Sequence, residues 1–223
     1  MEYPVQPLLF NILAMCNKGC SRYYKLLRKS KNIDSKALQY RENKWQIELH
    51  AVYSIDFWNN ATKRIKEIKY DNGLKWFQYQ ILHHSQYTNF RVSKFRSDVS
   101  PLCTYCRQED ELISHLYFKC KKVHEFWEQL NLWLAPFSFK IPLTISTILF
   151  GWHKERQDSV VNSLILWGKN HIWKNKFSTD NLSINVFLNI LKYRLSGLKE
   201  MFRYLENDSL FQNWLPVYNS FVQ

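Results

Sequence analysis

Cys103, Cys106, His115 and Cys120 fall within eighteen positions, separated by gaps of two, eight and four residues. That spacing restricts the fold more than any other feature of the chain, because it suits four ligands of one tetrahedral zinc ion. The CTYC pair lets two thiolates from one tight turn grip a metal, and a His followed at short range by a third Cys can close the shell from the start of a helix. A closed shell of three sulfurs and one nitrogen leaves no position for a reactive water, so the ion is expected to be structural. Ordinary buried thiols are the plain alternative, and the concentration of three of only five cysteines in this window weighs against it. The middle gap is longer than in a retroviral-type knuckle, so spacing alone names no family. His124, one turn beyond Cys120, is the rival fourth ligand; His115 is preferred because the acidic loop from Gln108 to Glu111 gives the chain length to return.

A chain of 223 residues, 46% of them hydrophobic, can bury a core in one or two domains. No stretch approaches the roughly 18 to 20 uninterrupted apolar residues of a membrane span. The start, MEYPVQPLLFNILAMCNKGC, has neither a basic n-region nor a small-residue cleavage site, so the chain is expected to be soluble and intracellular, nuclear or cytoplasmic. An odd cysteine count fits a reducing compartment better than a disulfide framework. Cys16 and Cys20 have no His or Cys near them beyond each other and are read as plain thiols.

Charge is distributed unevenly. Residues 1–100 hold 17 basic and 8 acidic side chains, against 14 and 11 in residues 101–223. The positive field therefore lies upstream of the cysteine cluster, and such a field attracts polyanions, nucleic acid being the commonest inside cells. A membrane surface fits less well, since no segment pairs a clustered Lys/Arg face with a clean apolar one.

Helical periods run along almost the whole chain, so the expected class is all-α, with helical segments flanking a small CCHC zinc-binding module. Three parts are expected: a basic helical segment over 1–97, the module with its following helix over 98–135, and a helical segment over 136–223. Within the first, Leu38, Trp45, Leu49 and Val52 make one stripe, and Phe57, Ala61, Ile65 and Ile68 another. Lys63, Arg64, Lys66 and Lys69 fall mainly off that second stripe, as a solvated face or as phosphate contacts. Asp71-Asn72-Gly73 is a turn, after which Leu74, Phe77, Ile81 and Leu82 begin a further helix. Residues 85–102 lose periodicity and interleave Arg91, Lys94 and Arg96 with Tyr87, Phe90 and Phe95, a pattern that can hold a backbone and stack on bases, or serve as an ordinary linker. Arg107, Lys119, Lys121 and Lys122 ring the cluster. After Cys120, Val123, Phe126, Trp127, Leu130, Trp133 and Leu134 predict an amphipathic helix. ISTILFGW is an apolar run of undefined state; Val161, Leu164, Ile165, Gly168 and Ile172, then Ile184 through Phe202 with Ser183 placed as a cap, make two more helices. Charges are sparse and mixed in this half, which reads as packing.

The succession KWQIEL, IDFWNNATKRI, LKWFQYQILHHSQYTNFRVSKF, CTYC, SHLYFKC and VHEFW resembles the carboxyl-terminal region of LINE-type second open reading frame proteins, the polyproteins of non-LTR retrotransposons. ILFGW, LILWGKNHIWKNKF and FQNWLPVYNSF extend the resemblance across the chain. It implies a zinc-containing, RNA- or DNA-binding segment of a reverse-transcribing protein, used when element RNA is copied into a nicked chromosomal target, with Cys103, Cys106, His115 and Cys120 as the ligands. A reverse transcriptase core is a further partner it implies. The chain carries no Tyr/Phe-x-Asp-Asp signature and no acidic and His cluster for nuclease chemistry, so it is expected to be no enzyme, to take no small-molecule substrate, and to use one structural zinc as its cofactor. His83-His84 with Asp98, or His171 with Asp180, are the residues an acid–base reading would need, and each His is more ordinarily packed or at the surface. The alternative function is a structural or protein-interaction remnant of a truncated retrotransposon protein with no binding activity of its own.

Overall fold

The computed structural model describes residues 33–68, 71–152, 158–178, 182–204 and 208–221; Cys16, Cys20, Lys69 and Asp180 lie outside the described residues. The chain divides into two compact units, residues 1–50 and 51–223, and the boundaries expected at 97/98 and 135/136 are interior to the second. The described residues form helices and turns with no strand or sheet, so the chain is all-α as its periodicity requires.

In the first unit, α1 (Ile33–Leu49) buries Trp45 completely. The helix stops because His50 takes a left-handed backbone, φ 51°, the conformation that commonly terminates a helix. Val52, expected on the α1 stripe, therefore lies beyond its end and is 81% exposed.

The second unit begins with α2 (Ile55–Glu67), capped by Ser54, whose Oγ accepts from the Phe57 amide at 3.2 Å. Asp56 in its first turn and Arg64 and Lys66 in its last complement the helix dipole. Ala61 and Ile65 are buried as expected, but the stripe begins at Trp58 rather than Phe57: Phe57 is half-buried and stacks on Tyr53, while Trp58 meets Phe150 edge-on at 5.4 Å. Asp71 caps α3 (Asn72–Leu82), accepting from the Leu74 amide at 2.9 Å, and α3 buries Leu74, Phe77, Ile81 and Leu82 as expected. A short helix, α4 (Asn89–Ser93), interrupts the stretch that the sequence leaves aperiodic.

Beyond the cysteine loop, a π-helical turn (His115–Lys119) leads into α5 (Lys121–Leu134), which buries Val123, Phe126, Trp127, Leu130 and Leu134. Trp133 stays half-buried, stacked on Phe221. The undefined ISTILFGW run contains α6 (Ile145–Phe150), which starts where Thr144 Oγ1 accepts from the Thr147 amide. Then come α7 (Asp158–Asn175), α8 (Ile184–Tyr204) and α9 (Leu215–Asn219). Ser183 immediately precedes α8.

The π-turn packs against α5, α6 and α7, and α5 also meets α8. The tightest approach lies at Gly168 of α7, where an added Cβ would stand 2.5 Å and 2.7 Å from the Trp127 ring. Trp127 cannot move aside: it is fully buried and its indole N–H donates to the Tyr117 carbonyl at 2.9 Å. Glycine is required there by packing, in the middle of a helix that it otherwise weakens. Gly168→Ala is expected to destabilise the protein by about 1 to 3 kcal/mol through overpacking, despite alanine's better helix propensity, read as a lower urea midpoint at unchanged slope.

Candidate metal centre and the surface around it

The CTYC loop folds as a knuckle. The Arg107 amide donates to the Cys103 carbonyl at 2.9 Å and the Cys103 amide to the Glu109 carbonyl at 2.8 Å, while Leu102 and Asp110 form an isolated antiparallel bridge. Arg107 closes the turn with φ 56°, a left-handed position that costs a non-glycine residue about 1 to 2 kcal/mol. These bonds hold Cys103 and Cys106 on one side of the loop.

The other two donors come from the π-turn. Cys120 follows His115 by five positions, an offset that on an α-helix would set them about 140° apart around the axis. The Cys120 amide instead donates to the His115 carbonyl at 2.9 Å, an i to i+5 bond that widens the turn. The donor atoms of Cys103, Cys106, His115 and Cys120 all lie within 4.8 Å of one another. Cys103 and Cys120 Sγ are 3.9 Å apart, and Cys106 Sγ is 3.3 Å from His115 Nε2. Cys103, His115 and Cys120 are buried and Cys106 half-buried. This Cys3His cluster can hold a metal ion, and its donor set is compatible with one zinc.

Charge around the cluster suits a cation. His115 turns Nε2 inward, and its Nδ1 lies 3.2 Å from Glu109 Oε2, close enough for ion pairing though off the line of a hydrogen bond. A carboxylate behind a ligating imidazole orients the ring and raises its basicity. Hydrogen bonding to Cys103 raises the His115 imidazole to about 9 against the opposing effect of burial. The Cys103 thiol is pushed up to about 12, first by its hydrogen bond to Cys120 and then by burial. Cys120, on the accepting side of that bond, is lowered, helped by the Val123 and Lys122 amides at the start of α5. The donors share protons that a divalent cation would displace. His124 stands apart: its Nε2 is 3.6 Å from Glu128 and its ring meets Phe118 edge-on.

One residue that sequence reasoning passed over fixes the loop. Glu111, read only as part of an acidic return segment, is fully buried. Its Oε2 accepts from the Thr104 amide at 2.9 Å and the Thr104 hydroxyl at 2.8 Å; its Oε1 accepts from the Asn89 amide at 2.8 Å and from the Lys176 ammonium. All of the roughly four acceptor sites of a carboxylate are thus used. Tyr105 adds a tie from the knuckle to α7 through its hydroxyl bond to the Ile172 carbonyl, and its burial raises the phenol.

The cations expected to contact nucleic acid take different positions. Lys63, Lys66, Lys94, Arg96, Arg107, Lys119, Lys121 and Lys122 are exposed. Arg64 is half-buried and paired with Glu67 at 3.0 Å, and Arg96 is paired with Asp98. Arg91 donates to the His84 carbonyl at 3.0 Å with its guanidinium over Tyr87, and Lys94 lies over Phe90. Arg107 and Lys122, with Tyr105, Glu125 and Asn175, line a cleft of about 850 Å³ against Cys106.

A second feature missed by sequence reasoning is an aromatic ladder on the outer side of α3. Trp76 and Tyr79 stack at 5.2 Å and 12°, and Tyr79 and His83 at 4.0 Å and 29°. Trp76 is 59% exposed and Tyr79 40%. Their spacing of three and four residues was visible in the sequence but lay off the apolar stripe. Of the residues an acid–base reading would need, Asp98 is paired with Arg96, and His171 is buried between Phe126 and Phe187, its imidazole lowered by burial.

No protein-family model and no curated protein matches this sequence. Among the described residues, no helix is long and apolar enough to cross a membrane.

Glu111→Gln keeps the shape but removes the charge that balances buried Lys176. It is expected to cost about 3 to 5 kcal/mol, measured by urea unfolding.

Proposed function

We propose that this chain is a non-catalytic nucleic-acid-binding segment whose one zinc, held by Cys103, Cys106, His115 and Cys120, is structural, and that it acts as the carboxyl-terminal part of a retrotransposon-type reverse-transcribing protein. The observation that carries this reading is the run of exposed aromatics and cations from α3 into α4. The ladder Trp76, Tyr79, His83 leads, through the bond from Arg91 to the His84 carbonyl, to Tyr87, Arg91 and Lys94. Stacked rings beside cations suit single-stranded RNA or DNA, because every base has a π face and every nucleotide a phosphate. The Glu111 ties hold the start of α4 on the cysteine loop, so an ion that orders the loop also orders this surface. The resemblance to LINE-type proteins supplies the biological setting, target-primed reverse transcription in the nucleus or cytoplasm, with a polymerase core as neighbour.

When bound, the zinc supplies a fixed tetrahedral crosslink and no reactive water, since four protein donors complete its shell. The purified chain is expected to carry one equivalent, lost in Cys103→Ser and His115→Ala and kept in His124→Ala, as read by a colorimetric zinc assay. Retention in His115→Ala would remove His115 from the ligand set.

Binding to a fluorescent single-stranded oligonucleotide is expected to weaken steeply as salt rises, with a log–log slope of roughly −0.7 per phosphate contacted. Trp76→Ala and Tyr79→Ala each should cost about 1 to 3 kcal/mol of affinity, while leaving the salt slope unchanged, because stacking releases no counterions. A flat salt dependence would instead favour the interaction-remnant reading.

A further inference from the structure

A cavity of about 480 Å³ opens between α2, α3, α7 and α8, away from the cysteine cluster, and is lined by residues of the second unit only. Leu74, Leu166, Trp167, Met201, Phe202 and Trp214 form the apolar part of its wall, with Trp167 and Trp214 stacked at 5.1 Å. Lys169 of α7 also lines it.

Lys169 is a buried cation with no counter-charge. It is 1% exposed, its Nζ donates to Gln78 Oε1 at 2.6 Å and to the Leu149 carbonyl at 3.0 Å, and no carboxylate pairs with it among the described residues. An ammonium has three N–H donors, so one remains for another acceptor. Both of its partners are neutral, and burial alone pushes the amine down to about 7. Lys176, just past the end of the same helix, shows the contrast, since it is buried against Glu111. A buried cation at a cavity wall without an anion is a site to which an anion brings the missing charge.

The other charges of the lining balance in pairs: Arg194, its guanidinium over the Trp167 ring at 5.7 Å, pairs with Asp71 at 3.7 Å, and Arg64 pairs with Glu67 at 3.0 Å, which leaves Lys169 as the charge of the lining without a partner carboxylate among the described residues. Gly197 is also in the wall, and a Cβ there would meet nothing within 4 Å. The volume falls in the range of small-molecule sites, which combine apolar walls with a few convergent polar groups.

We propose that this cavity is a binding site for a small amphiphilic carboxylate, whose apolar body lies between the Trp167 and Trp214 side of the cavity and Phe202 and whose carboxylate accepts from Lys169. The site is separate from the nucleic-acid surface and stands whether or not that surface binds RNA or DNA.

The test is calorimetric titration of the full chain with 2-naphthoate, and with 2-naphthamide as the neutral probe of the same shape. Saturable binding of naphthoate at one per chain is expected, with naphthamide weaker by roughly tenfold or more, the effect of removing a charge-assisted hydrogen bond. Lys169→Met should weaken naphthoate to the level of naphthamide. That variant leaves the Leu149 carbonyl with its bond from Gln78 Nε2 at 2.9 Å, so only Gln78 Oε1 loses a donor. Gly197→Leu, which improves helix propensity and adds bulk to the wall, should weaken both probes while preserving the fold. Should Lys169→Met not fold, the wild-type preference for naphthoate and its loss in Gly197→Leu decide the matter. Equal affinity for the two probes, no saturable binding at millimolar concentration, or undiminished naphthoate binding in Gly197→Leu would overturn the proposal.

Discussion

One buried carboxylate organises the region around the cysteine cluster. Glu111 collects donors from three places far apart in the chain: Thr104 in the knuckle, the Asn89 amide at the start of α4, and Lys176 just past the end of α7. A full negative charge in a water-poor interior is tolerable only when every acceptor site is met, and that demand makes the arrangement specific. Moving any of the three segments would leave a charge or an amide orphaned, at a cost that is a large fraction of a domain's net stability. The loop's cysteines, the cations of α4 and the end of α7 are therefore held as a unit.

Around that tie the helices are fitted closely. Gly168 admits the Trp127 ring, Trp127 bonds the Tyr117 carbonyl inside the π-turn, and the Tyr117 hydroxyl donates to Gln86 at 2.7 Å. This chain of contacts runs from α7 through α5 to the turn that carries His115 and then to the loop before α4. The π-turn's geometry is thereby held by packing as well as by its own backbone bond. Lys169 on α7 and Lys176 just past its end stand in two environments, the first lining a cavity and the second neutralised by Glu111. The same residue type is a structural pin at one position and a latent anion receptor at the other, and the difference is the neighbouring carboxylate.

Much of this was legible in the chain. The helical stripes of α3, α5, α7 and α8 follow from three- and four-residue recurrence of apolar side chains, whereas Asp71, read only as part of a turn, caps α3. The Cys3His quartet that could hold a metal was readable because CxxC spacing and a following His and Cys are local constraints. Other features were hidden. The buried stripe of α2 starts at Trp58 and not at Phe57, because Phe57 stacks on Tyr53 and Trp58 packs against Phe150, a partner nearly a hundred positions away. Val52 fell outside α1 because the helix ends at a left-handed His50 that carries no glycine signal. Arg64 and Arg96, expected to meet phosphate, are engaged with Glu67 and Asp98. The burial of Glu111 and Lys169 had no signal in the sequence, since burial of a charge is decided by partners that no local window contains.

The sequence by itself determined the helical class, the four soft and borderline metal donors, and the excess of positive charge upstream of them, because periodicity, side-chain chemistry and net charge belong to short segments or to sums over them. Tertiary structure alone decided that His115 and Cys120 share a face, that Glu111 ties the metal loop to two helices, and that Lys169 lines a cavity without a counter-ion. Those outcomes depend on which distant groups meet in a water-poor interior, where one absent partner can cost a buried charge several kcal/mol.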